Sequence, residues 1–145
     1  MNIGVLDDNP GILDYLEATL ALDGHTISRY LTGEALLDAL SMPASPDASV
    51  YTSMEAYYPQ FDLVILDLLL PGKLSGADVF LALRKTFSAD QLPIIVITAV
   101  DESTLEQFRR ILPDDVFVLR KPFPPKALQQ AIAQQMRHAG RSDND

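Results

Sequence analysis

Apolar residues along this chain alternate between two spacings. Short runs of Ile, Val and Leu are each followed by a longer stretch in which apolar positions return every third or fourth residue. That alternation predicts strands interleaved with amphipathic helices, the pattern of a parallel sheet covered on both faces. Ile3–Leu6 reads as the first strand. It stops at Asp7-Asp8-Asn9-Pro10, where Asn9 suits a helix cap and Pro10 the first turn, ahead of Ile12, Leu13, Leu16 and Leu20. Thr26–Leu31 is a weaker second strand, and Thr32 opens a short helix carrying Leu36, Leu37 and Leu40.

Phe61–Leu66 is the strongest strand signal, apolar enough to be central and covered on both faces. Ser75 or Gly76 begins a third helix through Val79, Phe80, Leu83 and Phe87. Leu92–Ile97 is a fourth strand, with Pro93 tolerable only at its start. A fourth helix follows from about Asp101 to Leu112, then a fifth strand over Val116–Leu119 and a last helix from Pro124-Pro125 to about His138. Five such units predict a doubly wound α/β fold whose site lies at the carboxyl ends of its strands. One domain over 1–138, with a polar tail over 139–145, accounts for the 145 residues.

Residues 41–60 break the rhythm. This segment has Pro43, Pro46 and Pro59, no basic residue, and Tyr51, Tyr57 and Tyr58. It reads as an insertion, either a loop laid over its own domain or a docking surface for a partner, and the residues leave both open.

Composition and charge narrow the classes. The chain is 48% apolar and 21% charged, too apolar for disorder, and has no cysteine for disulfides, thiolate metal sites or a thiol nucleophile. It opens without a basic segment or cleavage site and has no run long enough to span a membrane, so a soluble, cytoplasmic protein is expected. The net charge is −9, which disfavours nucleic acid as a direct partner. The imbalance is local: residues 1–72 hold eleven acids and one base, Arg29, while 73–145 hold nine acids and ten bases. That excess is either ordinary solubility or a cluster that holds a cation.

The predicted strand ends favour the cluster. The first strand delivers Asp7 and Asp8, the third Asp67, the fourth Thr98 and the fifth Lys121. Two like charges ~4 Å apart repel by about 4 kcal/mol at an effective dielectric near 20, so crowded carboxylates need raised pKa values or a cation among them. Few hard oxygens with room for water suit Mg²⁺. Lys121 and Thr98 gain a purpose if a multi-oxygen anion visits, and an aspartate can attack phosphorus to give an aspartyl-phosphate.

The set Val5-Leu6-Asp7-Asp8, Asp62–Asp67 running into Leu70-Pro71-Gly72, Ile97-Thr98-Ala99 and Lys121-Pro122-Phe123 resembles the receiver domain of two-component response regulators over about residues 1–138. The resemblance implies a five-stranded sheet of order 2-1-3-4-5 with five helices, the flavodoxin-like order that chemotaxis receivers also show. It implies that Asp67 accepts a phosphoryl group from a histidine kinase or phosphotransfer protein. Asp8, Asp67 and the backbone carbonyl of Leu69 would hold Mg²⁺, with Asp7 assisting through water. Thr98 and Lys121 would bind the phosphoryl group, the Lys121–Pro122 bond would be cis, and output would pass by protein contacts. The fourth helix, fifth strand and last helix, or the 41–60 insertion, would carry those contacts, and a homodimer is conceivable. Beyond magnesium-dependent self-phosphorylation and slow self-dephosphorylation, no enzyme activity is implied.

Four departures from that family stand out. Val118 occupies the switch position where an aromatic is usual, and Phe117 beside it faces the other way. The Pro71–Gly76 connection is one residue longer. Leu69 and Val100, at the positions that tune dephosphorylation, cannot hold a water by hydrogen bonding, which predicts a slow loss of phosphate. Three other readings fare worse. An aspartate-nucleophile phosphatase would want an acid at Leu69. A flavodoxin-like nucleotide binder would not place Asp7-Asp8 where a phosphate sits, and an interaction module needs no intact acidic site. His25 and His138 are expected to be exposed and away from that site, Met42, Met54 and Met136 to be fillers or surface residues, and Arg109 and Arg110 to be a solvated face or part of an output surface.

Overall fold

Each strand covers one helix layer with its odd residues and the other with its even residues. In the computed structural model, which describes residues 1–40, 59–113 and 116–139, the strands are β1 (Asn2–Leu6), β2 (Thr26–Tyr30), β3 (Leu63–Asp67), β4 (Ile94–Thr98) and β5 (Phe117–Arg120). The helices are α1 (Pro10–Ala21), α2 (Gly33–Ala39), α3 (Gly76–Thr86), α4 (Glu102–Arg109) and α5 (Pro125–His138). All strands pair in parallel in the order β2-β1-β3-β4-β5, which makes this the doubly wound α/β fold expected from the sequence. The 41–58 part of the insertion and the 140–145 part of the tail lie outside the described residues.

Alternation divides the core in two. Ile3, Val5, Leu63, Ile65, Ile95 and Ile97 pack with Leu13, Leu16 and Leu20 of α1 and Leu128 and Ile132 of α5. Val64, Leu66, Ile94 and Val96 pack with Leu36 of α2, Val79, Phe80 and Leu83 of α3 and Leu105 of α4. Every residue of β3 and β4 is buried, as the continuous apolar runs required. Phe117 and Val118 obey the same rule: Phe117 packs on the α1/α5 side and Val118 on the α4 side.

Element ends shift by one or two residues for identifiable reasons. The third strand begins at Leu63 instead of Phe61, because Asp62 closes onto Asn2: its amide donates to the Asn2 carbonyl at 2.7 Å and its carboxylate accepts from the Asn2 amide at 2.9 Å. Phe61 instead fills the space over Gly4 and meets Tyr30 edge-on. The fourth strand begins at Ile94, since Pro93 has no N–H and the Leu92 amide turns back to Ser88. The fifth starts and ends one residue later than its apolar run because Arg120 pairs with Thr98. The fourth helix ends at Arg109, and Leu112 reaches the core through a further turn instead. Asn9, Thr32, Ser75 and Asp101 cap their helices through side-chain oxygens, and Ser75 with Asp78 forms a reciprocal capping box.

Candidate functional site

The register of the sheet brings the acidic strand ends together. Asp67 pairs with Ile97, Thr98 with Arg120, and Asp7 directly follows β1, whose last residue Leu6 pairs with Leu66. Carboxylate oxygens of Asp7, Asp8 and Asp67 lie within 4.8 Å of one another. Asp7 is fully buried and Asp67 nearly so, while Asp8 is exposed at the rim.

Lys121 is the cation among them. Its Nζ donates to Asp7 Oδ2 at 2.6 Å and to Asp67 Oδ2 at 3.3 Å. Burial alone would lower the lysine pKa, but its bond to Asp7 and the charges of both aspartates hold it raised. Its backbone is fixed as well: the Lys121 amide donates to the Thr98 carbonyl at 2.8 Å, and the Lys121–Pro122 bond is cis. Asp7 has both oxygens engaged, since Oδ1 accepts from the Asn9 amide at 2.9 Å. That leaves it better suited to orient its neighbours than to bind a metal directly. Among the described residues, Asp67 Oδ1 accepts only a long bond, from the Leu69 amide at 3.3 Å.

One lysine does not balance three carboxylates. The Asp67 carboxyl is pushed up to about 6, first by burial and then by the charge of Asp7, with Lys121 and the Leu69 amide opposing. A hard divalent cation would relieve that repulsion, and the exposed side at Asp8 leaves room for water ligands, so the residues present fit Mg²⁺. The buried Thr98 hydroxyl accepts from the Val100 amide at 3.2 Å. Leu69 is half exposed beside the site and Val100 is buried, so neither offers a side-chain partner to water.

Three contributors were not legible as site residues. Gly76, expected only as a helix start, approaches so closely that a Cβ there would stand 1.8 Å from the Asp67 carbonyl oxygen, and its amide bonds the Leu68 carbonyl at 2.9 Å. The serine-glycine pair after Leu74 was the sole signal, and it marked a helix start and not a contact. Tyr15 donates to the Phe123 carbonyl at 2.7 Å and packs edge-on against its ring, steadying the segment after Lys121. Arg120 donates to the Val100 carbonyl at 2.8 Å and pairs with Glu102. The histidines stay away from the site, as expected, but His25 is half-buried instead of exposed, and burial lowers its pKa. Arg109 and Arg110 are exposed. No helix among the described residues is long and apolar enough to cross a membrane.

Comparison with known proteins agrees with this geometry. The family model for the response regulator receiver domain matches residues 3–133. The N-terminal domain of a response regulator/sensory box/GGDEF three-domain protein from Carboxydothermus hydrogenoformans is similar, with a TM-score of 0.73, 21% identity and 97% of each chain covered. A CheY-like receiver domain protein from Methanospirillum hungatei gives a TM-score of 0.72 at 18% identity, covering 96% of this chain and 95% of that one. A receiver protein from Sinorhizobium medicae gives 0.72 at 20% identity, covering 96% of both.

Proposed function

Because the chain belongs to the response regulator receiver domain family, we propose that it is a phosphorylation-dependent signalling switch whose phosphoacceptor is Asp67. Its partners would be a histidine kinase or histidine phosphotransfer protein upstream and a protein target downstream, in the cytoplasm. The observation that carries the reading is the Asp7-Asp8-Asp67 cluster with Lys121 reaching two of the three carboxylates.

In the transfer, a carboxylate oxygen of Asp67 attacks the phosphorus of a phosphohistidine, the P–N bond breaks, and the imidazole leaves with the electron pair. Asp67 must be ionised to attack, and with its pKa near 6 it is so at neutral pH. Lys121, freed from Asp67 Oδ2 by the new bond, can follow the charge onto the phosphoryl oxygens while Asp7 keeps it anchored. Asp8, Asp67 and the Leu69 carbonyl are the residues that would hold Mg²⁺, which neutralises charge on the transferring group when bound. Thr98, at the end of β4, supplies a hydroxyl donor. The Leu69 and Val100 side chains have no donor or acceptor with which to position a water for hydrolysis, so the phosphoryl group should be long-lived.

Intact mass after incubation with acetyl phosphate tests the reading. One added phosphoryl group is expected, dependent on Mg²⁺ and lost in Asp67→Asn. No added mass, together with no uptake of beryllofluoride, would instead indicate an interaction module that does not use its acidic site.

A further inference from the structure

Val118 is small and, half-buried, packs against the core on the α4 side, yet two residues later on the same face the chain places a long cation. Arg120 ends β5 opposite Thr98 in register. Its Nη2 donates to the Val100 carbonyl at 2.8 Å, and Nη1 pairs with Glu102 in the first turn of α4. Val100 in turn donates its amide to the Thr98 hydroxyl at 3.2 Å. A single guanidinium therefore grips the residue that holds the Thr98 side chain, and ties both to the start of α4.

The arrangement is poorly explained by stability. An exposed arginine–glutamate pair contributes little, and a cation beside a helix N-terminus opposes the helix dipole. Arginine does suit a clamp, since its planar fork serves two acceptors at once and bonds a carbonyl with charge assistance. The Thr98 hydroxyl is bound within its own segment, whereas Lys121 bonds Asp7 and Asp67. Threonine is stiff at χ1, so a hydroxyl drawn toward a group on Asp67 takes its backbone along. Val100 then moves too, and its carbonyl leaves Arg120.

Resting on the phosphoacceptor reading, we infer that Arg120 is a positioning residue that latches the 98–102 segment to α4 in the unphosphorylated protein, and that release of this latch carries the state of Asp67 to the α4 surface. Coupling is reciprocal: whatever a ligand must break to bind lowers its affinity by the same factor. Titration with beryllofluoride and Mg²⁺, read by calorimetry and by hydrogen exchange over Glu102–Arg109, tests this. Arg120→Met should bind beryllofluoride about fivefold more tightly than wild type. Its α4 amides should exchange faster before ligand is added and change little afterwards. Arg120→Lys should behave like Arg120→Met, because an ammonium keeps the charge but lacks the fork. Glu102→Gln should fall between.

Wild-type affinity and an unchanged α4 response in both arginine variants would overturn the latch. So would weaker binding by Arg120→Met with Arg120→Lys unchanged, which would leave only charge attraction. Wild-type protein that takes up no beryllofluoride would overturn the phosphoacceptor reading and the latch with it. Exchange in β1 and β3, remote from Arg120, reports whether each variant is folded.

Discussion

Replacing Asp67 by Asn should stabilise the protein at neutral pH even though it removes the proposed phosphoacceptor. Burial and the nearby Asp7 push the Asp67 carboxyl up to about 6, against an ordinary value of 3.8 for an exposed aspartate. The difference is about 2.2, and at about 1.36 kcal/mol for each pH unit it corresponds to about 3 kcal/mol of destabilisation at and above neutral pH. Solvent reaches the rim of the site and screens part of this, which leaves about 2 kcal/mol. The sign follows from proton uptake. Between about pH 4 and pH 6 the folded protein binds more protons than the unfolded chain, so this group's contribution to stability falls as pH rises through that window. Asparagine carries no charge, retains an acceptor for the Leu69 amide, and leaves Lys121 paired with Asp7 at 2.6 Å.

Urea unfolding in the presence of a chelator is the assay. With an m-value of about 2 kcal/mol per molar, Asp67→Asn should raise the midpoint by about 1 M at pH 7.5 and by only about a third of that at pH 4.5, where the folded carboxyl is protonated but the unfolded one is already largely ionised. Added Mg²⁺ should then close the gap, because a ligand at 100 times its Kd stabilises the folded state by about 2.7 kcal/mol and the variant has lost a ligand. An Asp67→Asn protein that is no more stable than wild type at pH 7.5, or a gap that persists unchanged at pH 4.5, would refute the argument that burial beside Asp7 stores repulsion in this site.

Gly76→Ala should lose about 3 kcal/mol in thermal or urea unfolding and accept less phosphate, because its Cβ meets the Asp67 backbone at 1.8 Å. Gly33→Ala, whose Cβ meets side chains and not backbone, the Val79 Cγ2 methyl at 2.5 Å and Leu74 Cβ at 3.3 Å, should cost less, and equal losses would count against a special role for Gly76. Tyr15→Phe removes the bond to the Phe123 carbonyl and should cost about 1 kcal/mol in urea unfolding while Mg²⁺ affinity is unchanged. Leu69→Asn should speed loss of the phosphoryl group by about tenfold, since an amide can position water; an unchanged decay rate after removal of the donor would dispose of that reason.

The comparison of sequence with structure turns on distance along the chain. Continuous runs such as Val64-Ile65-Leu66 could only be central strands, and the period change after each marked a covering helix. Local chemistry likewise placed the caps, as at Asn9, whose Oδ1 accepts from Gly11 two residues on. Where the ends were misplaced, a single competing bond decided the matter, as when Asp62 turned onto Asn2 instead of extending β3.

The strand-end residues Asp7, Asp8, Asp67, Thr98 and Lys121 could be named from the sequence because a parallel sheet carries all its carboxyl ends to one edge. Which of them touch could not. That Lys121 sits closer to Asp7 than to Asp67 depends on the side-chain geometry at β5 and β1, two strands that do not pair with each other. Gly76 against Asp67, Tyr15 against Phe123 and Arg120 against Val100 are contacts between segments the sequence presents separately. Periodicity determined which face each residue occupies, since it is a property of neighbours in the chain. The meeting of particular atoms was decided only when the sheet register and helix packing had fixed every element in space.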